Sequence, residues 1–459
     1  MSIASEITRL QNAKADIKSS IEAKGVSVPS SAKIDTYDTY IEQISGGSAE
    51  VEEKDVNFHD YDGTITNSYT AQEFLQLETL PPNPTHNGLT AQGWNYSLAD
   101  AKTYVQNYGM LEVGQMYITD DGSTRIYMNN EVDNTEFVLV LSFSGGSIDI
   151  DFGDNTSIVT TTEARTIHTY ANKGKYVITI TPSSSVTTMT FPNNLSSYGS
   201  LISSNHMDYD KKERLMVTNI ELGVKTTLSN YSFSGFRALE TLTIPNHITS
   251  IGSYCFTQCY RLKYLVIPNS CTTLSQNMIS IGVNGISFPS SSLSLSASCI
   301  QYSNIKRITL PLGATSLNQS ALANNYVLEE IIAPDITFVR YPTAFNNNNS
   351  LRKLVLNATT SNLTSINNSF TNCHRLKEVK IPKVFTSITM SSFNYCYSLK
   401  KIDLTEYTTI PTCANTTQPT NASEDYKIVV PNDLYDTWIT TGNWSSFASH
   451  IVKESDYSE

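Results

Sequence analysis

The sequence has few charged residues and no long apolar segment. Charged residues make up 16% of its 459 residues, and a net charge of −12 at pH 7 disfavours contact with the phosphate backbone of nucleic acids. No stretch contains the roughly 18 apolar residues that a transmembrane helix needs. The N-terminus, residues 1 to 6, also lacks the basic and apolar segments of a secretion signal. These absences predict no membrane span and no nucleic-acid partner.

Cysteines are few, and the common catalytic motifs are missing. Three of the seven cysteines, Cys259, Cys373 and Cys396, share one position of a repeat described below, which favours buried thiols over a disulfide framework or a zinc site. The sequence contains no P-loop, no nucleophile elbow, no His-Glu-x-x-His and no dinucleotide-binding glycine motif. We therefore expect no catalytic residue, no bound metal and no cofactor in a protein that is not an enzyme.

The sequence does contain an internal repeat, from about residue 186 to residue 431. Three apolar residues and usually a proline recur, as in Leu239, Leu242, Ile244 and Pro245. The copies begin 21 to 25 residues apart, at residues 217, 239, 262, 283, 305, 328, 351, 376 and 399. A fixed period of this size is typical of solenoids. The alternation within each copy predicts a short strand with one buried face, which proline ends because it cannot donate to the ladder.

A second pattern lies between the predicted strands. A large apolar residue stands six positions before the next copy, and a small or polar residue stands three positions before it. We predict that the first fills the core and that the second forms an inward ladder that satisfies backbone groups of the turn. The pairs are Phe233 with Phe236, Phe256 with Cys259, Leu322 with Asn325, Phe345 with Asn348, Phe370 with Cys373, and Phe393 with Cys396.

These patterns resemble the BspA-like, Treponema-type branch of the leucine-rich repeats. The residues that carry the resemblance are Ile248, Ile251, Gly252, Phe256, Cys259, Leu262, Leu265, Ile267 and Pro268. The resemblance implies a leucine-rich-repeat array over residues 186 to 431. Residues 432 to 459, with Leu434, Trp438, Trp444 and Phe447, resemble the C-terminal helical cap of such arrays, which an exposed solenoid end needs.

Residues 1 to 47 carry a short heptad pattern. Its apolar positions are Ile3, Ile7, Leu10, Ile17 and Ile21, with Lys14 among them. A helix with so short an apolar seam is only marginally stable in isolation. We therefore predict that these residues form an anchor, which docks either on copies of itself, as a trimer, or on a larger particle. The alternative is a two-helix hairpin that folds onto its own chain.

Residues 51 to 134 form a predicted small α+β module. The string Asp60-x-Asp62-Gly63-Thr64 resembles the nucleophile loop of haloacid-dehalogenase phosphatases, while Asp-Gly is also a common hairpin turn. We favour the turn, because helices over residues 71 to 80 and 97 to 108 and a hairpin over residues 115 to 128 follow. The sequence of this stretch, including Gly93-Trp94-Asn95, resembles that of a small module of phage tail and fibre proteins.

Residues 137 to 182 alternate as strands and resemble an immunoglobulin-like domain of the PKD type. The resemblance is carried by Asp151-Phe152-Gly153-Asp154, His168-Thr169-Tyr170 and Gly174-Lys175-Tyr176. Asp149, Asp151 and Asp154 either gather a Ca²⁺ ion or form a solvated acidic edge, and we favour the edge. We interpret His168 as a packed core residue.

The outward positions of the repeat strands form a candidate partner-binding strip. Its residues are Lys263, Tyr264, Lys306, Arg307, Arg352, Lys353, Lys377, Lys380, Lys400 and Lys401. One interpretation is a self-complementary ladder, in which Glu329 and Glu330 pair with Arg307 and Arg352 across neighbouring strands. The other is a docking surface for an acidic partner. Candidate rings for stacking on sugars are Tyr264 and the turn residues Tyr254, Tyr260, Tyr395 and Tyr397.

Together these features predict a mainly β, multidomain, elongated protein. The resemblances imply a bacteriophage virion appendage, a tail fibre, head fibre or capsid decoration. Its N-terminus would bind other virion proteins, and its array would adhere to a host-surface glycan or protein. Such a protein is made in the host cytoplasm and ends on the particle exterior. Two alternatives stay open: a bacterial cell-surface leucine-rich-repeat adhesin, and a phosphatase-like enzyme around Asp60 and Asp62.

Overall fold

The computed structural model describes residues 52–191, 215–291, 293–311, 314, 316–336, 342–358, 365–366 and 368–458, together with 14, 15, 17, 18 and 29. The chain divides into two units, Met1–Glu53 and Lys54–Glu459. The predicted anchor residues Ile3, Ile7, Leu10 and Ile21 lie outside the described residues, whereas Ile17 is helical and 40% exposed. The oligomeric anchor therefore stays a prediction. Among the described residues, no helix has the length and apolar content to cross a membrane.

Residues 54 to 119 form a small module with one four-stranded sheet in the order β2-β1-β4-β3. Its elements are β1 (Val56–His59), β2 (Ile65–Tyr69), α1 (Ala71–Leu75), β3 (Leu89–Trp94), α2 (Leu98–Tyr108) and β4 (Leu111–Thr119). The turn at Asp62 and Gly63 is confirmed as a hairpin, because β1 and β2 pair antiparallel around it. Helix α1 begins with a Thr70–Glu73 capping box but ends at Leu75, earlier than expected.

The predicted hairpin over residues 115 to 128 is wrong. Strand β4 pairs with β1 and β3, whereas β5 (Thr124–Asn130) pairs with β11 (Gly174–Pro182) and β13 (Val217–Glu221) in another sheet. The turn between them therefore leads from one sheet to the next. The reason is tertiary: eight of the nine residues of β4 are buried, because other parts of the chain cover the strand.

Residues 124 to 191 form the next β-rich region. Its remaining strands are β6 (Thr135–Val140), β7 (Ser142–Phe143), β8 (Ile148–Asp151), β9 (Val159–Thr161), β10 (Arg165–Tyr170), β11 (Gly174–Pro182) and β12 (Met189–Thr190). The β6–β10 pair and the sheet containing β8 and β11 share a core in which Phe137, Phe152 and Tyr170 meet edge to face. Strand β5 joins this sheet to the array, since the sheet order is β15-β13-β5-β11-β8-β9.

From residue 219 to residue 453 the chain forms a β-solenoid of about nine turns. In chain order the strands are β13 (Val217–Glu221), β14 (Thr226–Thr227), β15 (Thr241–Thr243), β16 (Ser250–Ile251), β17 (Leu265–Val266), β18 (Thr273–Leu274), β19 (Ile279–Gly282), β20 (Ile286–Ser287), β21 (Ser294–Leu295), β22 (Ile300–Ser303), β23 (Arg307–Thr309), β24 (Ser316–Leu317), β25 (Glu330–Ile336), β26 (Lys353–Ala358), β27 (Ser365–Ile366), β28 (Glu378–Lys380), β29 (Ser387–Ile388), β30 (Lys401–Asp403), β31 (Thr412–Cys413), β32 (Lys427–Val430) and β33 (Ile451–Lys453). Neighbouring turns pair in parallel, for example β25 with β26 and β28 with β30.

The inward ladder of the turns is confirmed. The Sγ atom of Cys373 donates to the Phe345 oxygen one repeat earlier, and Cys396 donates likewise to Phe370. Asn348 fills the same position and donates to the oxygens of Leu322 and Phe345. The phenylalanines stack, with ring centroids of Phe345 and Phe370 6.2 Å apart and those of Phe370 and Phe393 5.6 Å apart. All seven cysteines are free and buried, and burial raises the pKa of Cys396 to about 12.

The C-terminal cap closes the last turn of the solenoid. It contains α3 (Tyr435–Trp438) and the 3-10 helices Asn432–Leu434, Gly442–Phe447 and Glu454–Asp456; two further 3-10 helices, Pro342–Phe345 and Met390–Phe393, lie in the array. Trp438, Trp444 and Phe447 are buried against the end of the core, as predicted. The chain then adds β33, which pairs in parallel with β32 and becomes the final strand of that sheet.

Candidate interaction surface

The outward side chains of the parallel strands β15, β17, β20, β23, β25, β26, β28, β30 and β32 form one surface, which we call the strand face. Its charged residues pair across neighbouring strands. Arg307 Nε lies 2.9 Å from Glu330 Oε2, and Arg352 lies 2.7 Å from Glu330 Oε1 and 3.3 Å from Glu329 Oε2. The predicted ladder between these acidic and basic residues is therefore confirmed.

The small module lies on the first part of the strand face. Strand β4 contacts β15, β17, β20 and β23. Eight outward side chains of this part are buried: Thr241, Thr243, Tyr264, Val266, Ser287, Thr309, Glu330 and Ile332. We call the strands from β15 to β25 the covered half, and the strands β26, β28, β30 and β32 the open half.

Asn95 anchors the module to the covered half. Its side chain is fully buried, and Nδ2 donates to Ser287 Oγ at 3.1 Å and to the Phe288 oxygen at 3.0 Å. Its backbone oxygen accepts from Ser290 N at 3.1 Å. Within the module, Asn95 Oδ1 accepts from Gly114 N at 2.8 Å. Because each polar group of this buried amide has a partner, the contact is specific in position as well as tight.

Gly114 sets how closely β4 approaches the array. A Cβ atom at this position would lie 2.1 Å from Ser287 Oγ and 2.7 Å from both methyl groups of Val266. Such distances are far inside van der Waals contact, so only glycine fits there without a shift of either chain segment. The close approach of the two backbones lets Asn95 reach the strand face.

Glu112 brings a buried negative charge to the covered half. Its carboxylate lies 2.9 Å from Arg307 NH1 and also pairs with His59 Nε2. Burial by itself would raise the pKa of Glu112, but His59 and Arg307 together hold that pKa below its ordinary value. The Glu112 backbone nitrogen also donates to Thr309 Oγ1 at 3.2 Å. Glu112 and Glu330 therefore both pair with Arg307, and these contacts hold the Arg307 side chain in the interface.

Tyr264 and Arg307 do not belong to an open strip, which corrects the sequence prediction at these two residues. Tyr264 is 5% exposed because its ring stacks on His59 of the module, with centroids 4.3 Å apart. The Arg307 side chain is 18% exposed because Glu112, Glu330 and the Lys54 oxygen surround it. Lys263 and Lys306 precede β17 and β23 and remain exposed, and Lys263 pairs with Glu240.

The module's own hydrophobic core extends onto the array. Ile332 belongs to the cluster that contains Phe58, Phe74 and Trp94, and Val355 packs at its margin. Tyr104 of α2 is buried and donates through its hydroxyl to the Leu310 oxygen at 2.7 Å. The interface thus combines apolar burial with paired polar groups, as a permanent interface does.

The open half retains the rest of the predicted strip on an exposed surface. Lys353 and Lys377 make no ion pair with any residue that the structure describes. The other basic residues have partners: Arg352 with Glu329 and Glu330, Lys380 with Glu406 at 2.8 Å, Lys400 with Asp425 at 3.7 Å, and Lys401 with Asp403 at 3.3 Å. Lys401 also lies over the Tyr457 ring and is largely screened from solvent. The two most available charges are therefore Lys353 and Lys377.

Comparison with known proteins identifies the repeats. A family model described as a BspA type leucine-rich repeat region matches six copies, over residues 213–329 and 341–418. The chain carries BspA-type leucine-rich repeats. No enzyme family was found, and a comparison with curated protein sequences gives no match.

Two solved structures are similar to this chain. A leucine-rich repeat protein from Bacteroides ovatus is 17% identical, with a TM-score of 0.30 over 48% of this chain and 68% of its own. A leucine-rich cell surface protein from Faecalibacterium prausnitzii is 13% identical, with a TM-score of 0.23 over 58% of this chain and 87% of its own.

The acidic residues outside the BspA-type array serve the local fold. Asp60 Oδ2 pairs with His86 at 2.6 Å, and its Oδ1 accepts from Tyr61 N, while Asp62 accepts from Thr64 N within the hairpin turn. A nucleophilic aspartate would need an accessible carboxylate, but Asp60 is 5% exposed.

The acidic edge near the BspA-type array is also engaged locally. Asp149 accepts from Thr160, and Asp151 accepts from Gly153 N. Asp154 pairs with His168, whose ring stacks on Phe152 with centroids 4.1 Å apart, as expected of a packed histidine. In the part of the chain that the structure describes, no group of three acidic, histidine or cysteine side chains is placed to hold a metal ion.

The covering of the BspA-type array by the module was not predicted, although the sequence carries a signal for it. The second outward position of each strand is Thr243, Val266, Ser287, Thr309, Ile332 and Val355 in successive repeats, and then becomes Lys380 and Asp403. An outward face of threonine and branched apolar residues favours contact with another part of the chain, whereas lysine and aspartate favour solvent. The change falls between β26 and β28, one strand beyond the covered half, and Val355 of β26 still packs at the margin of the module's core.

Proposed function

We propose that the protein is a non-catalytic adhesion protein whose leucine-rich-repeat array presents the open half of the strand face to a partner on a cell surface. The observation that carries this proposal is the division of one continuous face into two parts. One part is filled by the chain's own module through buried contacts that include paired polar groups, and the other leaves Lys353 and Lys377 exposed.

The chemistry of the open half supports an acidic partner. A chain of net charge −12 that concentrates basic side chains on one exposed surface attracts anions there while the rest of the molecule repels them. The charges lie on a rigid array of parallel strands about 4.8 Å apart, so their spacing is fixed before binding. The proposal therefore places adhesion on Lys353, Lys377, Lys400 and their neighbours rather than on the covered residues.

A direct test is binding of the fluorescently labelled full chain to a panel of Gram-positive bacteria, Gram-negative bacteria and mammalian epithelial cells. The variant Lys353→Glu/Lys377→Glu reverses the two available charges, and Lys175→Glu/Lys225→Glu is the control with an equal change in net charge. We expect the wild type and the control to bind at least one cell type and the first variant to lose that binding. Absence of binding to every cell type would contradict the proposal.

The particle or cell that carries the protein is a separate question. Placement on a bacterial surface accords with the repeat family, while placement on a phage virion rests on the resemblance of residues 51 to 130 to phage modules. We propose the bacterial surface. Immunogold electron microscopy, with antibody against the array, would support it through label on intact producer cells. Label confined to phage particles from the culture would contradict it and would restore the fibre or decoration role, with the N-terminus bound to other virion proteins.

A further inference from the structure

We propose that two neighbouring turns at the margin of the open half form a binding site for an anionic polysaccharide. The site consists of His374, Lys377, Tyr397 and Lys400, and it rests on the proposed adhesion function while naming its ligand. In each turn an aromatic ring is followed, three residues later, by a lysine. The pair His374–Lys377 and the pair Tyr397–Lys400 occupy the same positions of successive repeats.

The backbone holds the two turns in register. Ser398 N donates to the His374 oxygen at 3.1 Å, and Lys400 N donates to the Lys377 oxygen at 2.7 Å. Each ring and each lysine therefore lies directly beside its counterpart, one strand spacing of about 4.8 Å away. That spacing is close to the length of one pyranose residue, so a sugar chain running along the solenoid would place one residue on each turn.

The rings are available to a ligand. Tyr397 is 54% exposed, its ring centroid lies 4.9 Å from that of His374, and Tyr395 lies 6.5 Å away on the other side. Together they form a small aromatic surface beside the strand face. A tyrosine ring in such a setting stacks on the apolar face of a sugar while its hydroxyl stays in water. An exposed surface of this kind suits a polymer chain better than a small molecule that needs a cavity.

The charges next to the rings select for an acidic polymer. Lys377 makes no ion pair with any described residue, and Lys400 contacts only the 84% exposed Asp425, at 3.7 Å, among the ion pairs of the described chain. Exposed pairs of this kind contribute little, so Lys400 is readily available to another anion. Two lysines beside two rings match a chain of sugars that carry carboxylate, sulfate or phosphate groups.

An earlier repeat provides an internal control. Tyr326 occupies the same repeat position as Tyr397 and is 48% exposed, but three residues later the chain has Glu329 instead of a lysine. Glu329 is paired with Arg352. The Tyr326 turn therefore has the ring without the positive charge, and we assign it no part in binding an acidic polymer.

The test is the affinity of the full chain for three defined probes: dextran sulfate, alginate and unmodified dextran. We expect binding to at least one acidic probe, none to dextran, and weakening as salt is raised. The variant Tyr397→Ala/Lys400→Ala should bind about tenfold more weakly, equivalent to roughly 1.4 kcal/mol. The control Tyr326→Ala/Lys175→Ala removes one exposed ring and one exposed lysine elsewhere and should bind as the wild type does.

Each other outcome has a definite meaning. If the wild type binds none of the three probes, or binds dextran equally well, the anionic polysaccharide is excluded as the ligand. If the Tyr397→Ala/Lys400→Ala variant binds as tightly as the wild type, the site is excluded even though the ligand class stands. Cell binding that persists without binding to any probe would leave the adhesion proposal intact and overturn only the assignment of its ligand.

Discussion

The two halves of the strand face are built from the same repeat but differ in what covers them. In the covered half, Asn95, Glu112 and Tyr104 bring polar atoms to the array, and each finds a partner there. In the open half, the strands continue with the same period and the same parallel pairing, yet their lysines face solvent. The difference teaches that repeat geometry alone does not decide which surface of a solenoid is available, because a neighbouring module can occupy it.

The largest expected effect comes from removal of the buried charge in the covered half. We expect Glu112→Ala to destabilise the protein by about 3 to 5 kcal/mol, because Arg307 and His59 would lose their buried partner. Chemical denaturation followed by fluorescence measures this. The matched control is Glu329→Ala, which removes an exposed carboxylate and should change stability by about 1 kcal/mol or less. Equal effects of the two variants would contradict the distinction between the halves.

A smaller effect is expected from Gly114→Ala. The added methyl group would meet Ser287 and Val266, so the module should move away from the array at a cost of about 2 to 3 kcal/mol. Hydrogen exchange should then rise in residues 54 to 119 and in β17 and β20 while the later repeats stay protected. Gly174→Ala, whose new methyl group would meet only the outer end of the Tyr176 ring, is the control. Unchanged exchange in Gly114→Ala would refute the close approach.

Acid should weaken the fold through Glu112 in the covered half. The pKa of Glu112 is lower in the folded protein than its ordinary value, so its charge stabilises the fold above the ordinary carboxyl range. That contribution is lost as pH falls below this range and through the lowered pKa. We expect stability measured from pH 6 down to pH 3 to decline less steeply in Glu112→Gln than in the wild type. Parallel curves of stability against pH for the two proteins would show that the charge of Glu112 does not stabilise this interface.

The smallest effect is expected in the open half. Lys377→Ala removes an exposed lysine without a described partner, so stability should stay within about 0.5 kcal/mol of the wild type. Thermal unfolding of the full chain measures this. A loss of more than 1 kcal/mol would mean that Lys377 is part of the fold rather than an available charge, and the proposed binding surface would need to be redrawn.

Much of the array followed from the sequence because each repeat is a local unit. The strand positions, the stacked phenylalanines and the inward Cys and Asn ladder follow from one 21- to 25-residue period. The charge ladder from Arg307 to Arg352 also followed, since parallel strands place equivalent positions side by side. Residues at fixed offsets in neighbouring repeats have to meet, whatever the rest of the chain does.

The pairing of β4 and β5 could not be predicted in the same way. Two apolar strands joined by an Asp-Gly turn ordinarily form a hairpin, and residues 115 to 128 have that pattern. Here β4 is held between β1 and β3 over the array, and β5 pairs with β11 and with the first repeat strand. Long-range pairing decided between two arrangements that are locally equivalent.

By itself the sequence determined the length of the repeat, the buried side of each repeat and which charged residues stand on the other side. These features depend only on spacing within the chain. The tertiary structure alone decided which of those charges face solvent. Tyr264 and Lys353 occupy the same outward position of their repeats, yet one is stacked under His59 and the other is exposed. The physical reason is that burial depends on which distant segment reaches a surface, and here Asn95 and Gly114 bring the module onto one half only.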